Sequence, residues 1–325
     1  LRKHFKARHH PLNPLNTLVV ILGPTGVGKT EFCLAEAEHL QVPIMNADSR
    51  QVYAEIPIGT AAPTPDQMQR VPHFFVGTHH LDEYYSASLY EQDVMGLLPE
   101  LFENSKRFHP CNPVALLSGG SMMYIDAVCK GIDDIPTIDE ATRSVMKERL
   151  SREGLEALVE QLYRLDPDYW KVVDRKNPRR VVHALEVCIM TGKPMSSFLT
   201  HQAKKRPFRI IKVGLNRDRA ELYNRINARV LNMVDKGLIE EAQKVYQFRN
   251  MNALNTVGFK EMFEYLDGLV TLDNTLAHIQ SNTRRYMRKQ LTWFKRDPDI
   301  KWFNPDNVKE IINYIDDRLS SNDFS

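Results

Sequence analysis

The chain has little cysteine: four residues in 325, Cys33, Cys111, Cys129 and Cys188, none of them in a C-x-x-C pair. That spacing argues against a cysteine zinc site and against a disulfide framework. Net charge is also small, at +2, so any affinity for nucleic acid has to come from a local patch rather than from the chain as a whole. No apolar run approaches the roughly 18 residues of a membrane span. The opening LRKHFKARHHPLNP is basic and has no apolar stretch of the kind a secretory signal needs. Residues 1–16 are expected to be a flexible basic leader, on a reduced, cytoplasmic, monomeric protein with no membrane attachment. Internal repeats and low-complexity tracts are missing as well, while 42% hydrophobic residues suffice for a full core in one or two domains.

What the sequence does contain is a phosphate-binding signature. Leu18–Leu22 is a continuous branched apolar run, as in a strand buried on both faces. GPTGVGKT follows at 23–30, and a helix-like pattern then runs to about Leu40. G-x-x-x-x-G-K-S/T between a strand and a helix points backbone N–H groups and a helix N-terminus at phosphate oxygens. Lys29 adds a positive charge and the Thr30 hydroxyl can ligate Mg²⁺. The motif specifies a di- or triphosphate and leaves the rest of the ligand open.

Further strands are read at Val42–Ala47, Val114–Leu117 and Arg209–Leu215, alternating with helices, so the fold class is α/β: a P-loop NTPase-like parallel sheet flanked by helices. Residues 130–202 are charged, helical and punctuated by Pro136, Pro167, Pro178 and Pro194, which reads as an all-helical insertion between core segments 17–129 and 203–316. Ligands of such sheets sit beyond the carboxyl ends of the strands. GPTGVGKT, Asp48 and Gly119-Gly120-Ser121 all fall at such ends. Asp48 could hold Mg²⁺ through water or accept a proton from a nucleophile, and Ser49, Arg50 and Gln51 suit the edge of a base.

Two basic clusters follow. Arg175, Arg179 and His183 are spaced four apart, Lys176 and Arg180 make a parallel row, and Asn177 can cap a helix beginning at Pro178. The second is Thr283-Arg284-Arg285-Tyr286-Met287-Arg288-Lys289-Gln290, followed by Trp293, Phe294, Lys295 and Arg296. Cations interleaved with aromatics suit a nucleic-acid backbone with stacking, although a charge run is often only a solvated helix face.

Together these stretches resemble the bacterial tRNA dimethylallyltransferases, also called tRNA isopentenyltransferases. The matching segments are GPTGVGKT (23–30), NADSRQVY (46–53), IGTA (58–61), GGSMMY (119–124), NPRRVVHALEV (177–187), RAELYNRINARV (219–230), TVGFKE (256–261) and RRYMRKQLTWFKRDP (284–298). The resemblance implies transfer of a dimethylallyl group from dimethylallyl diphosphate to the exocyclic N6 of adenosine 37 in tRNA, with Mg²⁺ and loss of diphosphate. The phosphate in the loop would then be that of an isoprenoid diphosphate. It further implies Asp48 as general base, with Thr25 beside it as the second catalytic position. Gly23, Pro24, Thr25, Gly26, Val27, Gly28, Lys29 and Thr30 would hold the diphosphate, Thr30 would take the metal, and Arg219 would be a second cation, with Arg225 competing for that role. The tRNA anticodon stem-loop would meet Asp48, Ser49, Arg50, Gln51, Ser121, Arg143, Arg179, Arg180, His183, Gly258, Phe259, Lys260, Arg284, Arg285 and Arg288. The chain departs from the family pattern at Ala62, where a lysine is usual, at Phe259, where a tyrosine is common, and at His183, where many relatives carry arginine. An adenylate isopentenyltransferase acting on free AMP, ADP or ATP shares the loop and the aspartate. A small-molecule kinase shares only the loop, and a non-catalytic RNA-binding module would leave loop and Asp48 without a use.

Overall fold

The computed structural model describes residues 16–200 and 202–321, so the leader expected at 1–16 lies almost wholly outside the described residues. Six strands form one sheet: β1 (Thr17–Leu22), β2 (Ile44–Ala47), β3 (His73–Phe74), β4 (Val114–Gly119), β5 (Arg209–Leu215) and β6 (Ile300–Phe303). Their order is β3-β2-β4-β1-β5-β6 and every pairing is parallel. β1 is central, in register with β4 from Thr17↔Val114 and with β5 from Thr17↔Arg209.

The apolar run of β1 is continuous because both of its faces are covered. Leu18, Val20 and Leu22 enter one buried cluster; Val19 and Ile21 enter another on the opposite face. Helices of this unit are α1 (Lys29–Leu40), α2 (Pro65–Arg70), α3 (Ala87–Ser105) and α4 (Met122–Lys130), and, later in the chain, five more. The intervening residues Gly131–Lys204 form a second compact unit. It contains α5 (Glu140–Leu165), α6 (Pro167–Val172) and α7 (Pro178–Thr191), with a short 3₁₀ turn at Met195–Phe198 and no strand among its described residues. The first unit resumes with α8 (Arg219–Asp235), α9 (Leu238–Val245), α10 (Phe259–Leu266), α11 (Leu272–Phe294) and α12 (Val308–Ser320).

The helical unit has its own core of Met146, Leu158, Leu162, Val181, Ala184 and Leu185. Asn177 caps α7 as its sequence foretells: its side chain accepts from Arg180 N at 3.3 Å, with Pro178 in the first helical position. Arg175 and Lys176 therefore precede the cap, so the four-residue spacing with Arg179 and Arg180 is not a helical row. Arg175 instead stacks on Trp170, 4.3 Å from the ring centre.

Candidate active site

The glycine-rich loop joins β1 to α1, as the motif requires. Gly28 caps α1 at φ +100°, a left-handed conformation that favours glycine. The first N–H groups of α1 have no partner within the helix, and they form the positive end of its dipole. The loop's carbonyls are turned to cations. Lys29 Nζ donates to Gly23 O at 2.8 Å and Pro24 O at 2.9 Å. Arg225 Nε donates to Gly26 O at 2.9 Å and Arg217 Nε to Val27 O at 2.8 Å. With those oxygens engaged, the balance of the loop favours an anion.

Burial pushes Lys29 down to about 8, Arg229 adding to the effect and Asp48 opposing it. Burial likewise lowers Arg229, again opposed by Asp48. The carboxylate at the end of β2 is thus electrostatically coupled to the phosphate loop. Asp48 is held in a turn: its Oδ1 accepts from Arg50 N at 2.9 Å and from Gln51 N at 3.4 Å. Ser121, just beyond β4, locks the next residue, since its Oγ accepts from Ser49 N at 2.8 Å and donates to Ser49 Oγ at 3.1 Å. Tyr90 and Tyr124 stack nearby at 4.2 Å, and burial raises both hydroxyls above the usual phenol range.

The structure thus brings together Gly23, Pro24, Thr25, Gly26, Val27, Gly28, Lys29, Asp48, Ser49 and Ser121 within one unit. Thr30 lies exposed in the first turn of α1. Among the described residues no group of three or more His, Cys, Asp or Glu could hold a metal ion. The local donors are hard oxygens, a hydroxyl at Thr30 and a carboxylate at Asp48. Such a sparse set fits Mg²⁺ shared with substrate phosphates rather than a metal caged by protein.

Other positions fall differently. Gln51 donates through Nε2 to Thr60 O and Ala61 O, both at 3.0 Å, so its amide braces the IGTA loop. Arg50 donates to Asn252 O at 3.1 Å. Arg219 does not touch the phosphate loop: it is exposed and donates from Nε to Tyr223 OH at 2.9 Å. The physical reason is helical phase, because Arg225 lies six residues further along α8 and so faces another side. Phe259 does not face solvent; its ring is fully buried beside Phe263, at 6.2 Å, and Gly258 is buried at φ +101°. A tyrosine hydroxyl would need a partner there and phenylalanine does not. Of TVGFKE, Lys260 is the exposed residue. Arg288 donates to Tyr223 OH at 2.7 Å, Arg284 to Asn227 Oδ1 at 2.6 Å, and Arg285 is exposed. In the helical unit, Arg179 and Arg180 are exposed at the start of α7, His183 pairs with Glu186 at 3.4 Å, and Arg143 donates to Ile138 O at 3.2 Å.

Sequence reasoning missed Arg217, Arg229 and Gln290. The signal for Arg229 was its four-residue spacing from Arg225 on α8, which puts both on one face.

A parallel sheet with this loop after its central strand β1, and a carboxylate at the end of β2 two strands away, defines a P-loop NTPase-like α/β fold. Comparison with known proteins narrows the class. The family model described as IPP transferase matches residues 51–297, more than half of the chain, and the chain belongs to that family. It is 59% identical over 92% of its length to tRNA dimethylallyltransferase 1 of Phocaeicola vulgatus, covering 98% of that protein. It is 57% identical to the Bacteroides fragilis protein of the same name, over 92% of this chain and 97% of that one. Among solved structures, the tRNA isopentenylpyrophosphate transferase of Bacillus halodurans is 33% identical with a TM-score of 0.65, over 94% of this chain and 97% of that one. A eukaryotic dimethylallyltransferase crystallised acting on tRNA shares the fold, with a TM-score of 0.73 at 21% identity, over 93% of this chain and 77% of that one. No described helix is long and apolar enough to cross a membrane.

Proposed function

We infer that this chain is a tRNA dimethylallyltransferase that prenylates the exocyclic N6 of adenosine 37, using dimethylallyl diphosphate. The observation that carries the reading is the gathering of the Lys29 loop after β1, the Asp48 turn after β2 and Ser121 after the intervening β4 at one end of the sheet, within a chain of this family. A base and a diphosphate cradle in one site suit attack on the carbon that bears the diphosphate.

In the reaction the N6–C1 bond forms as the C1–O bond breaks, and the electron pair leaves with diphosphate. An exocyclic amine is a weak nucleophile because its lone pair is delocalised into the ring, so Asp48 accepts its proton as the new bond forms. Oδ1 is engaged by two backbone N–H groups, and Oδ2 is the oxygen assigned to that proton. The phosphate loop, Lys29 and Arg225 stabilise the charge that develops on the leaving group, while Arg217, paired with Glu221 and Asp306, braces the loop through Val27 O. Thr30 would hold Mg²⁺, which supplies further charge neutralisation at the diphosphate. A base inside a stacked anticodon loop must flip out to reach such a site, and loop bases unstack at least cost. The cations of the helical unit, Arg143, Arg179, Arg180 and His183, and those of the core unit, Lys260, Arg284, Arg285 and Arg288, are assigned to the tRNA backbone.

The test is a matched assay with Mg²⁺, labelled dimethylallyl diphosphate and either an anticodon stem-loop or free AMP. Label on the stem-loop, lost in Asp48→Ala, is the expected result. Label on AMP alone would move the chain to the adenylate isopentenyltransferases, and ATP consumption without prenyl transfer would make it a kinase.

A further inference from the structure

We propose that Gln290 is a positioning residue for the prenyl transfer, its side-chain amide fixing the phosphate loop against the strand end that carries the turn of Asp48. This rests on the reaction assigned above.

Gln290 lies on α11 and is only 2% exposed, although it closes a run of basic residues, Arg284, Arg285, Arg288 and Lys289, expected to face RNA. Helical phase separates it from them: Met287, Gln290 and Phe294 form the buried stripe of this end of α11. Both ends of the amide are used. Oε1 accepts from Thr25 N at 2.9 Å, and Nε2 donates to Gly120 O at 2.8 Å. These partners leave one sensible orientation, because a carbonyl must meet the donor and an N–H the acceptor. Contact is close enough that a Cβ at position 120 would lie 2.7 Å from Nε2, so a side chain there would have to displace the amide.

The two bonds extend beyond the strand ends a link that β1–β4 pairing carries only as far as Leu22↔Gly119. Thr25 belongs to the loop after β1, and Gly120 to the loop after β4. The next residue, Ser121, holds Ser49 N at 2.8 Å, and Ser49 follows Asp48 directly. A continuous path therefore runs from the diphosphate loop through Gln290, Gly120 and Ser121 to the base. Displacement at carbon needs leaving group and base held in a fixed relation, and small misplacements cost large factors in rate. The Thr25 N–H is also taken by Gln290, which removes it from the donors that the loop presents to phosphate.

The amide's two-sided bonding makes a distinctive test. In Gln290→Glu the ionised carboxylate can still accept from Thr25 N but sets a negative oxygen against the Gly120 carbonyl. The protonated acid restores both bonds, with its O–H donating to Gly120 O. Burial favours the protonated acid, while the Lys29 ammonium, 3.6 Å from the Cβ position at Gly120, opposes it, so recovery is expected toward pH 6. Gln290→Met removes both bonds at every pH. We would measure kcat and KM for the stem-loop between pH 6 and 9 in the full chain and both variants, with the folded fraction followed by circular dichroism. Hydrogen exchange of the peptide covering Thr25 would be followed alongside. Removal of a buried hydrogen-bond partner should lower kcat roughly tenfold with KM for the stem-loop little changed. Relative to wild type, Gln290→Glu should recover as pH falls while Gln290→Met stays low, and loop protection should follow the same pattern. The proposal is overturned if both variants keep wild-type kcat, if their losses only track the folded fraction, or if Gln290→Glu shows no recovery at low pH. Wild-type protein that transfers no prenyl group would overturn the functional reading, and the proposal with it; wild-type transfer with indifferent variants would overturn the proposal alone.

Discussion

Arg225 Nε donates to the carbonyl of Gly26 at 2.9 Å, which places a guanidinium against the phosphate loop from the middle of α8. Arg219, at the start of the same helix, is engaged by Tyr223 instead. Arg225→Ala should therefore weaken dimethylallyl diphosphate binding and lower kcat/KM by roughly tenfold to a hundredfold, the range for a lost charged hydrogen bond. Arg219→Ala should change donor affinity by less than about twofold, in keeping with a solvent-exposed cation. Isothermal titration with the donor separates the two outcomes; equal losses would return Arg219 to the diphosphate site.

Lys29 titrates near 8 because it is buried and faces Arg229. It carries its charge below that pH and loses it above, so donor affinity should fall as pH rises through 8. Lys29→Arg keeps a charge that does not titrate in this range. Comparing dissociation constants from pH 6.5 to 9.5 checks this: the step should be present in wild type and missing in the variant.

Asp48→Asn keeps the turn-forming oxygen and removes the base. General-base loss should cost about 10²–10⁴ in kcat while the donor still binds. Single-turnover prenyl transfer, with donor affinity measured in parallel, distinguishes lost chemistry from a collapsed site. A variant that retains full kcat would exclude Asp48 as the proton acceptor.

Glu36 on α1 is fully buried, and among the described residues neither carboxyl oxygen has a hydrogen-bond partner. Burial, with Asp316 as a lesser cause, raises it to about 8. The folded value lies above the ordinary carboxyl value, so the folded chain binds the extra proton. Stability is fully present below the unfolded value of about 4.3 and is lost as pH rises through 8. Glu36→Gln should flatten this dependence, and its Tm should exceed that of wild type by more at pH 9 than at pH 5. Parallel Tm profiles would show that Glu36 is not buried as a proton-holding acid.

In the helical unit, Arg179 and Arg180 stand exposed at the start of α7. Replacing both with alanine should raise KM for the stem-loop and reduce the salt dependence of binding, each phosphate contact contributing about 0.7–0.9 to the log–log slope. Asn177→Ala should instead lower stability by about 1 kcal/mol through loss of the cap. Filter binding at several salt concentrations, together with thermal melts, checks the pair.

The strand, loop and helix around 17–40 were legible because local pattern and tertiary role agree there. β1 is buried on both sides and so reads as a continuous apolar run, and the glycines mark the turn that follows. β3 and β6 were not legible: His73–Phe74 is two residues long, and Ile300–Phe303 follows a polar turn with half of its residues only partly covered. The four-residue spacing of Arg175 and Lys176 from Arg179 and Arg180 matches a helical row, because spacing alone does not reveal that the helix starts only at Pro178. Gln290 lay inside a basic stretch, and only the packing of α11 separates its buried face from its charged one.

The position of the helical unit in the chain sets an order of assembly during synthesis. Thr17 and Arg209 are neighbours in the sheet yet 192 residues apart in sequence. At about 5–20 residues per second, the ribosome needs roughly 10–40 s to make the second flank of β1 after the first strand is complete. All of Gly131–Lys204 is made within that interval. The helical unit, with its own core and local contacts, can close while the sheet still has an open edge at its centre. Nascent chains stalled before residue 209 should therefore present the side of β1 that β5 will cover, a surface that a ribosome-associated chaperone would shield until translation completes the sheet.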